Sequence, residues 1–290
     1  MANNIALSKV YTNLLDEVYQ QSALTAVLES DASLARQGAN ANEIVIPKLS
    51  MDGLADYSRN SGYVNGDVTL NWETTQFNYE RGRMFSVDNM DNEETQNIAF
   101  GRLAGEFIRT KVVPELDAFR FAKYASVVGA GTATGALATG VDVVAALRTA
   151  TSAMDEAEVP MEDRHLFITP TLMGLVEDMD TTKSKEVLAR FASITKVPQT
   201  RFYSAIELLD GKSIGEEKGG YKKADGAAEL NFEIIHKPAT LQFTKHAVPK
   251  VISPEMNQDA DAWKYGYRNY GLCDTYENKA AGIYVHKKSV

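Results

Sequence analysis

The chain has 290 residues, 44% of them hydrophobic and 24% charged, with a formal net charge of −9 and one cysteine. That length and apolar share allow a sizeable core in one large domain or two interlocked ones, and no apolar run approaches the roughly 18 residues of a membrane span. The acidic balance disfavours gripping nucleic acid through its phosphates, and the lone Cys273 leaves no internal disulfide and fits a reducing compartment.

Residues 1–10 lack a charged-then-apolar pattern, so no secretory signal is expected. Over 5–30, apolar residues such as Leu7, Val10, Leu14, Val18 and Leu28 recur at helical spacing, which predicts a broken helix or an arm ordered by a neighbour. From Glu43 the pattern changes to that of a long two-stranded ribbon. Ile44, Ile46 and Leu49 open it; Val68, Leu70 and Trp72, then Phe77, Tyr79, Phe85 and Val87, return it. Residues 52–67 between the arms are rich in Gly, Asn, Asp and Ser, which is turn chemistry. With about 15 residues per arm at about 3.3 Å each, the ribbon would reach about 50 Å. A compact chain of this size is itself near 50 Å across. A hairpin that long needs a surface outside its own fold, which points to self-assembly. The apolar phase slips by one residue between Trp72 and Phe77, so a bulge or second turn is expected there.

Asp91-Asn92-Glu93-Glu94 leads into a long helix over 95–128, with carboxylates at the positive end of its dipole. Pro114 inside it predicts a kink, or two helices meeting there. Residues 129–140 (GAGTATGALATG) read as a flexible linker. Helix and strand then alternate: a helix over 141–157, a strand over 166–169, a helix over 171–179 and a strand over 202–209. Residues 211–228 read as an exposed polar loop, and 231–236, 241–244, 250–252, 264–273 and 281–286 as strands. The unit at about 130–230 therefore interrupts a domain made of the early long helix and the late strands.

Motifs that carry chemistry are weak. Gly211-Lys212-Ser213 resembles the end of a phosphate-binding loop, but Ile206 stands where the leading glycine belongs. His165, His236, His246 and His286 show no metal-ligand spacing, although His236 and His246 flank a turn and could meet. Asp259 and Asp261 read as solvated or capping carboxylates, Trp263 as a core anchor, and Cys273 as an inert buried thiol. Trp72 is divided between core and contact with another subunit. No catalytic, cofactor or metal residue is assigned, and no enzyme activity is expected.

Several segments, in order, resemble the major capsid proteins of tailed phages. They are Val112-Val113-Pro114-Glu115-Leu116-Asp117-Ala118-Phe119-Arg120-Phe121, Val197-Pro198-Gln199-Thr200-Arg201-Phe202-Tyr203, Asn257-Gln258-Asp259-Ala260-Asp261-Ala262-Trp263-Lys264 and Asn278-Lys279-Ala280-Ala281-Gly282-Ile283-Tyr284-Val285-His286. The resemblance implies an α+β, Hong Kong 97-like fold: an N-terminal arm (1–42), an extended loop (43–90), a peripheral domain with a spine helix (91–139 and 231–290) and an inserted axial α/β domain (140–230). It implies a subunit of hexamers and pentamers in a virion shell, assembled in a bacterial cytoplasm around double-stranded DNA without sequence-specific binding. A separate scaffolding protein, a portal and decoration proteins are implied partners; a membrane and cofactors are not. Some members link a loop lysine to a neighbour's asparagine; no lysine stands near the tip here, so no such cross-link is expected. About 40 residues precede the ribbon, too few for a fused scaffolding segment. Arg59, Tyr63, Trp72, Arg81, Arg83 and Pro114 are the candidate assembly-interface residues. The alternatives are an encapsulin-like nanocompartment shell and, from another class, a cytosolic enzyme with its site in 140–230.

Overall fold

The computed structural model describes residues 23–30, 36–37, 43–60, 62–94, 98–179 and 181–289. Most of the helix expected over 5–30 lies outside them. Residues 26–28 form a 3-10 turn, and β1 (Arg36–Gln37) pairs with the start of β2 (Glu43–Met51). β2 and β3 (Val68–Gln76) make the ribbon, paired antiparallel from Glu43↔Gln76 to Met51↔Val68. Each arm has nine residues, so the ribbon reaches about 30 Å rather than the expected 50 Å.

The expected slip in phase falls at Phe77-Asn78, and it is a change of sheet. There the chain leaves the ribbon, and β4 (Tyr79–Asp88) pairs instead with β12 (Ala262–Thr275), which also pairs β11 (Thr240–Ile252). Asn78 makes the switch possible. Its amide donates to the Cys273 carbonyl at 2.7 Å and its oxygen accepts from the Cys273 N–H at 3.1 Å, standing in for a strand pair. β11 is one continuous strand through Pro249, which an edge strand tolerates because the missing N–H can face outward.

α1 (Asn89–Glu94) precedes the spine helix, which has α2 (Ile98–Phe107), a π-helical turn (Ile108–Val112) and α3 (Val113–Ala125). The irregularity that Pro114 predicts is thus placed just before it. Proline has no N–H to give the carbonyl four residues back and its ring crowds that carbonyl; widening the preceding turn relieves both. The Thr110 hydroxyl donates to the Glu106 carbonyl at 2.6 Å on the same turn.

The stretch read as a linker contains β5 (Gly131–Thr134), which runs parallel to β13 (Ile283–Lys287). These strands join β10 (Leu230–His236), β6 (Arg164–Ile168) and β7 (Ser193–Lys196) in a five-stranded sheet ordered β5-β13-β10-β6-β7. β10 and β13 therefore lie in the sheet of the α/β unit, not with the late peripheral strands as the sequence suggested. β6 and β10 are buried along their whole length because both faces are covered. On one face lie α4 (Gly140–Glu156), α5 (Pro170–Glu177) and α6 (Thr182–Leu188), whose Val143, Leu147, Met154, Leu172 and Val187 meet Leu166, Ile168, Phe232 and Ile234. On the other lies α3, with Phe121 centred 5.1 Å from both Phe167 and Phe202. Burying an aromatic ring of this kind contributes about 1.5–3 kcal/mol.

α4 starts at a capping box, Thr139 accepting from the Asp142 N–H and Asp142 accepting from the Thr139 N–H. Its first residue has no room for a side chain: a Cβ on Gly140 would stand 2.3 Å from the Leu175 carbonyl oxygen. Gly140→Ala is therefore expected to cost about 1–3 kcal/mol, read as a lowered melting temperature with an unchanged far-UV spectrum. The polar stretch 211–228 carries β9 (Gly220–Lys223), which closes a hairpin with β8 (Ile206–Leu209).

Candidate assembly surfaces

An antiparallel register places opposite residues on one face, and the ribbon sorts its side chains accordingly. Met51 stands opposite Val68; Leu49 and Pro47 stand opposite Leu70 and Trp72. Val68, Leu70 and Trp72 follow each other on one face at exposures of 69, 51 and 48%, with Met51 at 64%. The alternate positions are polar: Ser50, Thr69 and Asn71. A face this apolar and this open is atypical of a subunit that stays alone. The ribbon is fixed at its base, where Ile44 is buried among Leu241, Phe243 and Leu272 with Phe77 and Tyr276 against them.

At the tip, the Ser58 and Gly62 backbones exchange hydrogen bonds of 3.2 and 2.8 Å, and Gly62 takes a φ of 78° that a side chain would resist. Tyr57 and Tyr63 meet edge to face with centroids 4.8 Å apart. Lower down, Asp52 accepts from the Asp67 N–H at 2.8 Å, tying the two sides of the loop. Tyr63 and Arg59 stand in solvent.

Arg81 and Arg83 have partners inside their own chain. Arg81 donates to Glu115 of α3 at 2.6 Å and to the Leu209 and Gly220 carbonyls at the neck of the β8–β9 hairpin. Arg83 donates to the Lys218 and Glu217 carbonyls in the loop of that hairpin. Together they clamp the hairpin to β4 and the spine helix. Pro114 is half-buried beside the π turn.

A polar cluster that the sequence did not reveal holds residues 24–30 against the spine helix. Asp117, wholly buried, accepts from the Leu24 N–H, the Thr25 N–H and the Thr25 hydroxyl at 3.2, 3.3 and 2.9 Å, and Arg201 reaches it at 3.3 Å. Arg120 donates to the Thr25 hydroxyl, and the Gln242 amide to the Thr25 carbonyl. Burial raises the Asp117 pKa, and the Thr25 and Leu24 donors and the Arg120 charge oppose that rise. Ser30 then bonds β11 through the Thr240 and Gln242 backbones, leading the chain toward β1.

The weak chemical motifs have structural roles. Asp210 accepts from the Lys212 and Ser213 N–H groups and the Ser213 hydroxyl, making Gly211-Lys212-Ser213 a tight turn and lowering the Asp210 pKa to about 2. His236 stands opposite Arg164 in register and His246 opposite Tyr270, so the two histidines occupy different sheets. Asp259 pairs with Lys264. Trp263 is half-buried and lines a cavity rather than filling a core. Cys273 is buried, its thiol pushed up to about 11 by desolvation. Among the described residues, no group of three His, Cys, Asp or Glu could hold a metal ion, and no helix is long and apolar enough to cross a membrane.

No protein-family model and no curated protein matches the sequence. Solved structures do match. A virus-like particle from Pyrococcus furiosus aligns with a TM-score of 0.59 at 10% identity, covering 96% of this chain and 98% of that one. The mature capsid of bacteriophage PhiM1 aligns at 0.58 and 10% identity, over 87% of this chain and 84% of that one. A Gordonia phage Cozz structure aligns at 0.54 and 14% identity, over 93% and 87%. Identities this low speak only of the path of the chain. That shared path, followed over 87–96% of its length, is the Hong Kong 97-like capsid fold.

Proposed function

We propose that this chain is the major capsid subunit of a tailed phage or phage-derived particle, closing through hexamers and pentamers into a shell around double-stranded DNA. The observation that carries the proposal is the ribbon: an ordered strand pair, anchored at its base, with Val68, Leu70, Trp72 and Met51 open to solvent. Covering it with a sister subunit removes that apolar area from water and makes stability inseparable from assembly. The likeness to a mature phage capsid and a virus-like particle supports the same reading. A net charge of −9 lets DNA lie inside without tight adhesion. The shell is the virion's; scaffolding, portal and decoration proteins are its proposed partners.

The test is to express the chain alone and follow it by sedimentation and electron microscopy. Rings, tubes or closed shells are expected from the native sequence. The double variant Val68→Glu with Leu70→Glu is expected to sediment as a free subunit while its own stability stays within about 1 kcal/mol. A native chain that remains monomeric at high concentration would overturn the proposal. Nuclease-protected DNA is the expected content of particles from infected or induced cells; a cargo protein in its place would move the reading to a nanocompartment.

A further inference from the structure

The ribbon tip and one cavity at the end of the β11-β12-β4 sheet are complementary in charge. Arg59 is the only Lys or Arg between Lys48 and Arg81, and the same stretch carries Asp52, Asp56, Asp67, Glu73 and Glu80. That single cation sits at the apex of the Ser58–Gly62 turn, exposed, on the stem that the Tyr57–Tyr63 contact stiffens. A long side chain held forward on an ordered turn loses less freedom on binding than one on a loose loop.

The cavity, about 290 Å³, opens where the start of α1, the 3-10 turn Pro254–Met256 and the start of β12 converge. Asn89, Ser253, Pro254, Glu255, Asp261 and Trp263 line it. The Asn89 N–H donates to the Asp261 carbonyl at 3.0 Å, and the Asn257 amide to the Ala262 carbonyl at 2.9 Å, so its walls are tied together. Both of its titratable groups, Glu255 and Asp261, are acids, and the neighbouring Lys264 is engaged with Asp259. Trp263, half-buried, forms one wall of the cavity. Met90 and Met256, each next in the chain to a lining residue, are 59 and 77% exposed and form an adaptable apolar rim. No residue of the tip lines the cavity within one chain.

We infer that the cavity receives the ribbon tip of a second copy of this chain, with Arg59 between Glu255 and Asp261 and against Trp263. This rests on the proposal that the ribbon is covered by a sister subunit, and it names the place where its tip lands. The match is specific: Arg59 is the single cation of residues 49–80, and both titratable residues that line the cavity carry the opposite sign. Phe, Tyr or a lysine at position 59 would satisfy part of the site; an acid would be repelled by it.

A charge exchange tests the inference. Arg59→Glu alone and Glu255→Arg alone are each expected to lower the yield of assembled particles about tenfold or more, through like charges brought together at every copy of the contact. Combining them in one chain is expected to recover at least half of the native yield. Arg59 and Glu255 are both exposed, so the free subunits should keep the native circular dichroism and melting temperature, which separates an assembly defect from misfolding. Single variants that assemble as the native chain does would overturn the inference, and so would two defective singles whose combination stays defective. In both of those cases native particles still form, so the capsid reading stands; loss of that reading is signalled by a native chain that never assembles.

Discussion

Asp117→Ala is expected to destabilise the free subunit by about 3–5 kcal/mol, the cost of breaking a buried charged cluster from one side. The substitution removes the carboxylate that Arg201 pairs with and whose charge Arg120 faces, and leaves the Leu24 and Thr25 N–H groups without their acceptor. For a chain of this size the melting temperature should fall by about 10 °C. The loss should also be local in a telling way. Amide exchange at residues 24–30 should accelerate far more than at β6 or β10, because Asp117 is what ties that segment to the spine helix. Asp117→Asn, which keeps the shape and one acceptor oxygen, should cost less than half as much. Equal exchange throughout the chain would mean that Asp117 supports the spine helix alone and not the arm.

Glu233→Gln is expected to stabilise the subunit, and to do so more strongly as pH rises. Glu233 lies in the middle of β10, opposite Phe167 and Val285 in register, and is completely buried. Neither carboxyl oxygen has a hydrogen-bond partner among the described residues. Burial raises its pKa well above the ordinary 4.5, and the charge of Lys287 opposes this only in part. Between the ordinary value and the raised one, the fold keeps a proton that the unfolded chain has released. The contribution of Glu233 is complete below the ordinary value and is lost as pH climbs through the raised value in the fold. Glutamine cannot ionise, so the gap between variant and native chain should widen by up to about 1.4 kcal/mol per pH unit over that window. Denaturant titrations at pH 5, 7 and 9 would measure it. A gap that is constant across those three conditions would show that the carboxyl keeps one charge state in both folded and unfolded chains.

Much of the architecture was legible because its signals are local. The spine helix shows its period along 98–125, the helix at 140–156 shows its own period, and the ribbon is marked by turn residues between two alternating runs. Trp72 was left divided between core and contact because alternation says that one face of a strand is apolar, not what covers it; the structure places it half exposed. The partners of Arg81 and Arg83 were hidden for another reason. Apart from Glu115, they are backbone carbonyls more than 120 residues away, and a carbonyl leaves no mark in the sequence.

β5 was misread as linker because Gly131-Thr132-Ala133-Thr134 has little apolar content; it is a strand because β13 offers a free edge and the Tyr284 ring needs a position without a Cβ. α6 and β7 drew no expectation, since each is seven residues or fewer and owes its place to the sheet beside it.

The sequence by itself determined the elements whose stabilising contacts lie within a few residues, together with the two alternating runs of the ribbon, though not its length. Tertiary structure alone decided which sheet each late strand joins, that β4 parts from the ribbon at Asn78, and that Asp117 fastens residues 24–30. The physical reason is one of range: periodicity and capping act over one or two turns of chain, whereas strand pairing and buried polar contacts depend on residues that only folding brings together.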